Sequence, residues 1–240
     1  MFGRRKIAML VAEFLGTGIL TLVFLSVQRS TIGVPYFIAL AAGLTALVAY
    51  FVVSENSGAH LNPAVTLALW TARKVNTLTG ALYIVMQLLG AWAAYYLYVY
   101  FANLPTGFQA IGSHYTGRVM LAEAVGTFVL ALAWAAVAYR RYSVGNSAAV
   151  IGIAYALGII LASVAGIGII NPAVALGTRA WTLWGSMGWG TYVLGPVLGA
   201  IVGVNLFGLL FAPKAALAVA KVATPKARTT RKKATTRRKR

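Results

Sequence analysis

The triplet Asn-Pro-Ala occurs twice, as Asn62-Pro63-Ala64 and Asn171-Pro172-Ala173, and each copy sits in an apolar segment too short to cross a membrane. Asn is a favoured N-cap and Pro is favoured at the first helical position, so each triplet reads as the start of a helix. The first such helix is expected to run from Asn62 to Thr71, about 15 Å, or half of a ~30 Å hydrocarbon core. Two half-helices entering from opposite faces would meet near the middle. Their positive N-terminal ends would share a midplane, where irregular backbone is tolerated only if it is buried in protein or lines a polar cavity.

Composition places the chain in a membrane. Of 240 residues, 60% are hydrophobic and 10% charged, against about 25% charged in soluble domains. There is no cysteine, which excludes disulfides, thiolate catalysis and Cys-based metal sites. His60 and His114 are far apart in the chain and have no companions for a metal site. No nucleophile–base pair or phosphate loop is visible, so neither an enzyme nor a cofactor is expected. The N-terminus, Gly3-Arg4-Arg5-Lys6 followed by an apolar run, resembles the opening of a signal peptide. No small-residue cleavage site ends that run, and Glu13 inside it is foreign to a signal, so it reads as a retained first span.

Runs of spanning length cover 7–27, 34–53, 78–101, 119–139, 147–167 and 189–211, giving six crossings besides the two half-helices. Of the 21 basic residues, 18 fall on the side that holds both termini; Arg29, Arg118 and Arg179 face the other. The positive-inside rule then puts both termini in the cytoplasm. The chain also repeats itself. Ala12-Glu13-x-x-Gly16-Thr17 matches Ala122-Glu123-x-x-Gly126-Thr127, and Asn62-Pro63-Ala64-Val65 matches Asn171-Pro172-Ala173-Val174. Each unit has three spans, an odd number, so the second copy is inverted relative to the first. Gly195, Gly199 and Gly203 form one smooth helix face for packing within the bundle or between subunits.

The repeat, the six spans, the Glu in the first and fourth spans, and the run Ser57-Gly58-Ala59-His60-Leu61-Asn62-Pro63-Ala64-Val65-Thr66 together resemble the aquaporin, or major intrinsic protein, family over residues 1–212. The resemblance implies an all-α channel domain at 1–212, with repeat one at about 1–102 and repeat two at about 118–212. It also implies a homotetramer with one pore per subunit, and passive conduction of water or small uncharged solutes of the glycerol, urea or ammonia class, with exclusion of protons. Asn62 and Asn171 would each aim a side-chain amide at the midplane, where the helix ends repel cations. Each Asn could also be no more than a helix cap. Glu13 and Glu123 are intramembrane acids, which by default carry function. A proton relay would need titratable partners that the sequence does not offer. The resemblance implies that each carboxylate braces a re-entrant loop, and His60 is expected to do the same. The loops at 57–61 and 166–170 should present carbonyl acceptors.

Family members usually narrow at four positions, which fall here on Ala42, Ile159, Gly168 and Val174. An aromatic, a His, a small residue and an Arg are the usual occupants for water selectivity; the aromatic, the His and the Arg are missing. The constriction is therefore expected to be wider and more apolar, with a weaker barrier to cations. Other markers conflict. Arg179 resembles the glycerol-conducting branch, Ala175 does not, and Tyr192-Val193 matches neither branch. Arg179 either rotates toward the missing guanidinium's space or stands at the mouth. Glu55, on the approach to the first half-helix, reads as a solvated charge or one half of a gate.

The segment 213–240 holds 11 Lys or Arg and no acid. It is expected to be disordered and cytoplasmic and to contact anionic lipid headgroups. With no aromatics and no folded reader, sequence-specific nucleic-acid recognition is not expected. Two rival functions stay open: a membrane scaffold with a closed or vestigial pore acting through this tail, and a weakly ion-conducting pore.

Overall fold

The structure, a computed structural model, describes residues 3–30, 35–108, 116–183 and 188–213. His114 and the basic tail from residue 214 onward lie outside the described residues. The described chain is helical throughout, without strands. Six helices are long and apolar enough to cross a membrane: α1 (Arg4–Arg29), α2 (Pro35–Ser57), α4 (Thr77–Phe101), α5 (Gly117–Arg140), α6 (Val144–Ala162) and α8 (Gly195–Leu210), the last entered through a π-helical turn at Gly190–Leu194. Two short helices, α3 (Pro63–Thr71) and α7 (Pro172–Gly177), begin at the two triplets.

Local chemistry starts both short helices. Asn62 and Asn171 are extended N-caps at φ −153° and −144°, and each is followed by Pro at the first helical position. The Asn62 side chain accepts from the Ala64 N–H at 2.9 Å, and that of Asn171 accepts from the Ala173 N–H at 3.0 Å. The half-helices are unequal: α7 has six residues against nine in α3, about 9 Å against about 14 Å. The left-handed backbone of Arg179, at φ 59°, stops α7 and lets the Ala180 N–H reach back to the Ala175 carbonyl. The fifth span is also shorter than the apolar run 147–167 suggests. It ends at Ala162, where the Ser163 hydroxyl turns back to the Ile160 carbonyl at 2.7 Å and the chain becomes a re-entrant loop. Hydropathy does not separate a lipid-spanning helix from an apolar loop folded into the protein.

Packing follows the internal repeat. α1 lies on α4 as α5 lies on α8; α1 meets α2 as α5 meets α6; α3 packs on α8 as α7 packs on α4; and α2 meets its own counterpart α6. Each contact between helices therefore has a partner under exchange of the repeats, as an inverted pair requires. The glycine face of α8 is used inside the bundle. A Cβ on Gly195 would stand 2.7 Å from the Met120 carbonyl, and one on Gly203 would stand 2.8 Å from that of Phe128, both on α5. The bundle is apolar outside and partly polar within. Leu40, Leu44 and Val48 of α2 are exposed, while Glu13, Gln87 and Glu123 are fully buried.

Candidate functional site at the half-helix junction

Two backbone reversals create the site. The residues just before the two Asn, Leu61 and Ile170, both sit in the left-handed region, at φ 51° and 50°. This is rare for a large or β-branched residue and persists only where the surroundings enforce it. Here two buried carboxylates enforce it. Glu13 of α1 accepts from the N–H groups of His60 at 3.0 Å and Leu61 at 2.8 Å. Glu123 of α5 accepts from the N–H groups of Ile169 at 2.8 Å and Ile170. With its N–H turned to the carboxylate, each left-handed residue turns its carbonyl toward the other half-helix.

Those carbonyls are where the two halves meet. Asn62 donates its side-chain amide to the Ile170 carbonyl at 2.9 Å, and Asn171 donates its own to the Leu61 carbonyl at 2.8 Å. The N-termini of α3 and α7 thus abut, with Asn62 and Asn171 at 0% and 1% exposure. Ala64, Ala173, Pro63 and Pro172 are buried beside them. Asn171 carries a further contact, from its amide to the Tyr155 phenol of α6 at 2.9 Å.

Around the first loop the network extends to residues that no local motif marks. Gln87 of α4 donates to Glu13 at 2.7 Å and to the Thr66 hydroxyl at 3.0 Å. His60 Nδ1 lies 3.2 Å from the same hydroxyl. The His60 ring is edge-on to Tyr83 and to Trp134, each at 5.4 Å, and Trp134 in turn lies 5.9 Å from Tyr50. An aromatic cluster from α2, α4 and α5 therefore packs around the histidine. Gln87, Tyr155 and Trp134 escape a reading of the sequence because their partners lie on other helices. A buried Gln in an apolar span was the one available signal.

The four positions expected to narrow the pore come from four elements. Ala42 is on α2, Ile159 on α6, Gly168 in the second re-entrant loop and Val174 on α7. Gly168, at φ 73°, is pressed against the Ile159 backbone, leaving no room for a Cβ. Ala42, Ile159 and Val174 belong to one buried cluster, and none is more than 1% exposed. Trp181 and Tyr192 belong to the same cluster, and the Trp181 indole donates to the Pro172 carbonyl at 2.7 Å. The Arg179 guanidinium lies 5.3 Å from the Tyr95 ring centre, tying the end of α7 to α4. Glu55 is exposed in the last turns of α2.

Six spans and two re-entrant half-helices, joined through reciprocal Asn amides, define a multi-pass membrane channel fold. The chain belongs to the major intrinsic protein family, whose profile matches residues 4–207. Aquaporin Z of Photorhabdus laumondii is 32% identical over 234 residues, covering 85% of this chain and 98% of that protein. Human Aquaporin-1 is 32% identical over 226 residues, with 85% and 82% covered. Among solved structures, the aquaglyceroporin of Plasmodium falciparum superposes with a TM-score of 0.71 over 88% of this chain and 99% of its own, at 22% identity.

Proposed function

We propose that the protein is a passive channel for water and/or small uncharged solutes of the glycerol, urea or ammonia class, with protons excluded at the paired Asn-Pro-Ala midplane. The observation that carries this reading is the reciprocal pair, Asn62 to the Ile170 carbonyl and Asn171 to the Leu61 carbonyl. It holds two helix N-termini, each equivalent to roughly half a positive charge, against one another. A cation arriving there meets an unfavourable potential. An uncharged solute meets amide donors, and a water whose lone pairs are engaged by donors cannot pass a proton along a chain.

In this reading Glu13, Glu123 and His60 brace the re-entrant loops. Ala42, Ile159, Gly168 and Val174 form an apolar filter. Residues 1–212 are the channel domain, as two repeats of about 1–102 and 118–212, and four copies assemble as a tetramer. Both termini are cytoplasmic, and the basic segment that follows contacts anionic headgroups. The resemblance to aquaporins supports the solute class. The test is osmotic shrinkage of proteoliposomes against empty vesicles, with water, glycerol, urea and ammonia as solutes.

A second reading, a membrane scaffold with a closed or vestigial pore, draws on the burial of the filter positions Ala42, Ile159 and Val174, which are at most 1% exposed. It predicts no permeability and a phenotype lost on deleting 214–240. A third, weak ion conduction, draws on Val174 in place of a cation and predicts unitary currents in single-channel recording.

A further inference from the structure

The Asn-Pro-Ala midplane is not symmetric, because Tyr155 enters it from one side. A primary amide has two N–H groups. Asn62 commits one of them, to the Ile170 carbonyl. Asn171 commits both, one to the Leu61 carbonyl at 2.8 Å and one to the Tyr155 oxygen at 2.9 Å. The phenol oxygen therefore occupies the station at which a solute oxygen would accept from Asn171. As an acceptor in that bond, the phenol keeps its own hydrogen, and no hydrogen bond among the described residues takes it.

The backbone of α6 puts the ring there. Gly152 and Gly158 lie one turn to either side of Tyr155. A Cβ on Gly152 would come 2.7 Å from the Gly43 carbonyl of α2, and one on Gly158 would come 2.6 Å from the Gly126 carbonyl of α5. Two close crossings thus draw α6 inward against both neighbours at the level of the ring. Tyr155 is 4% exposed and Ile159, one turn on, is 0%. The midplane and the filter are therefore shaped by the same helix face.

We propose that Tyr155 is a specificity-determining residue of the midplane: its phenol oxygen stands in for a solute at Asn171, and its ring favours water over bulkier solutes. This rests on the channel reading above. Each passage requires the phenol–amide bond to open, and a three-carbon polyol must also find room beside the ring. One neutral hydrogen bond corresponds to roughly five-fold in a rate or an equilibrium.

The experiment is stopped-flow permeability of proteoliposomes at matched protein density, for water and glycerol, comparing wild type with Tyr155→Phe and Tyr155→Val. Elution of each purified variant by size exclusion serves as the check on folding. Tyr155→Phe removes the oxygen and keeps the ring; water permeability should rise roughly five-fold with a lower activation energy, and the glycerol-to-water ratio should not rise. Tyr155→Val removes the ring, and the glycerol-to-water ratio should rise by about ten-fold or more. Wild type conducting water, with both well-eluting variants matching it in rate and in solute ratio, overturns the proposal and leaves the channel reading intact. A phenol that only supports packing would give variants with lower water permeability and an unchanged solute ratio, which also overturns it. Wild type and both variants indistinguishable from empty vesicles would overturn the channel reading and this proposal together.

Discussion

The Asn62 side-chain amide donates to the Ile170 carbonyl at 2.9 Å across 108 residues of sequence. That bond exists because Ile170 is held in the left-handed region, and Ile170 is held there because Glu123 takes its N–H. The same three-part device recurs at Glu13, Leu61 and Asn171. Cap, reversal and carboxylate form one unit in each repeat, and each unit is completed by the other.

Replacing either Asn with Ala should therefore cost more than a helix cap. Asn62→Ala loses the cap and leaves the Ile170 carbonyl a buried acceptor short of a donor, about 2–3 kcal/mol together. Asn171→Ala abandons the Leu61 carbonyl and the Tyr155 phenol as well as its cap and should cost more. Thermal unfolding in detergent should show a fall of about 5–10 °C for Asn62→Ala and a larger fall for Asn171→Ala.

Glu13→Gln and Glu123→Gln should both destabilise the fold, because an amide nitrogen would then face a backbone N–H. Glu13 accepts from two backbone N–H groups and from Gln87. The Gln substitution there should cost at least about 2 kcal/mol and lower permeability per folded molecule. If unfolding temperature and osmotic response were unchanged, the carboxylates would not be holding the loops.

Gly152→Ala adds one methyl where the Gly43 carbonyl and the Leu47 Cβ are both 2.7 Å away. α2 and α6 must separate, at a cost of about 1–3 kcal/mol. Separation moves the ring of Tyr155, so permeability should change along with the unfolding temperature. Gly117→Ala, at a position with open space, is the control and should move neither.

Val174→Arg should narrow the range of solutes passed, since it restores a fixed cation with five donors at the position where family members usually carry Arg. Val174 is 1% exposed, so the new side chain must open its surroundings, and a lower unfolding temperature is expected as well. The measurement is the ratio of glycerol and urea rates to that of water. An unchanged ratio in a folded variant would mean that position 174 does not line the constriction.

Much of the fold was legible in the sequence. Asn62-Pro63 and Asn171-Pro172 mark helix starts because capping is local chemistry, and the six spans follow from length and hydropathy. What stayed hidden is what the tertiary fold imposes. Leu61 and Ile170 are poor candidates for positive φ on residue type alone. Tyr155 looks like any aromatic in an apolar span until α7 is placed beside it. Trp134 and Gln87 are separated from His60 and Glu13 by 74 residues each, so no spacing rule pairs them. The end of α6 at Ala162 was blurred because the re-entrant loop is as apolar as the helix before it.

The central claim is that the junction of α3 and α7 is a conduit for small uncharged molecules. Stopped-flow light scattering on proteoliposomes of the full chain, against empty vesicles of the same lipid, tests it most directly. The account predicts faster shrinkage on an osmotic step with a lower activation energy than bare lipid, slowed or abolished in Glu13→Gln. No increase over empty vesicles for water, glycerol, urea or ammonia would contradict it.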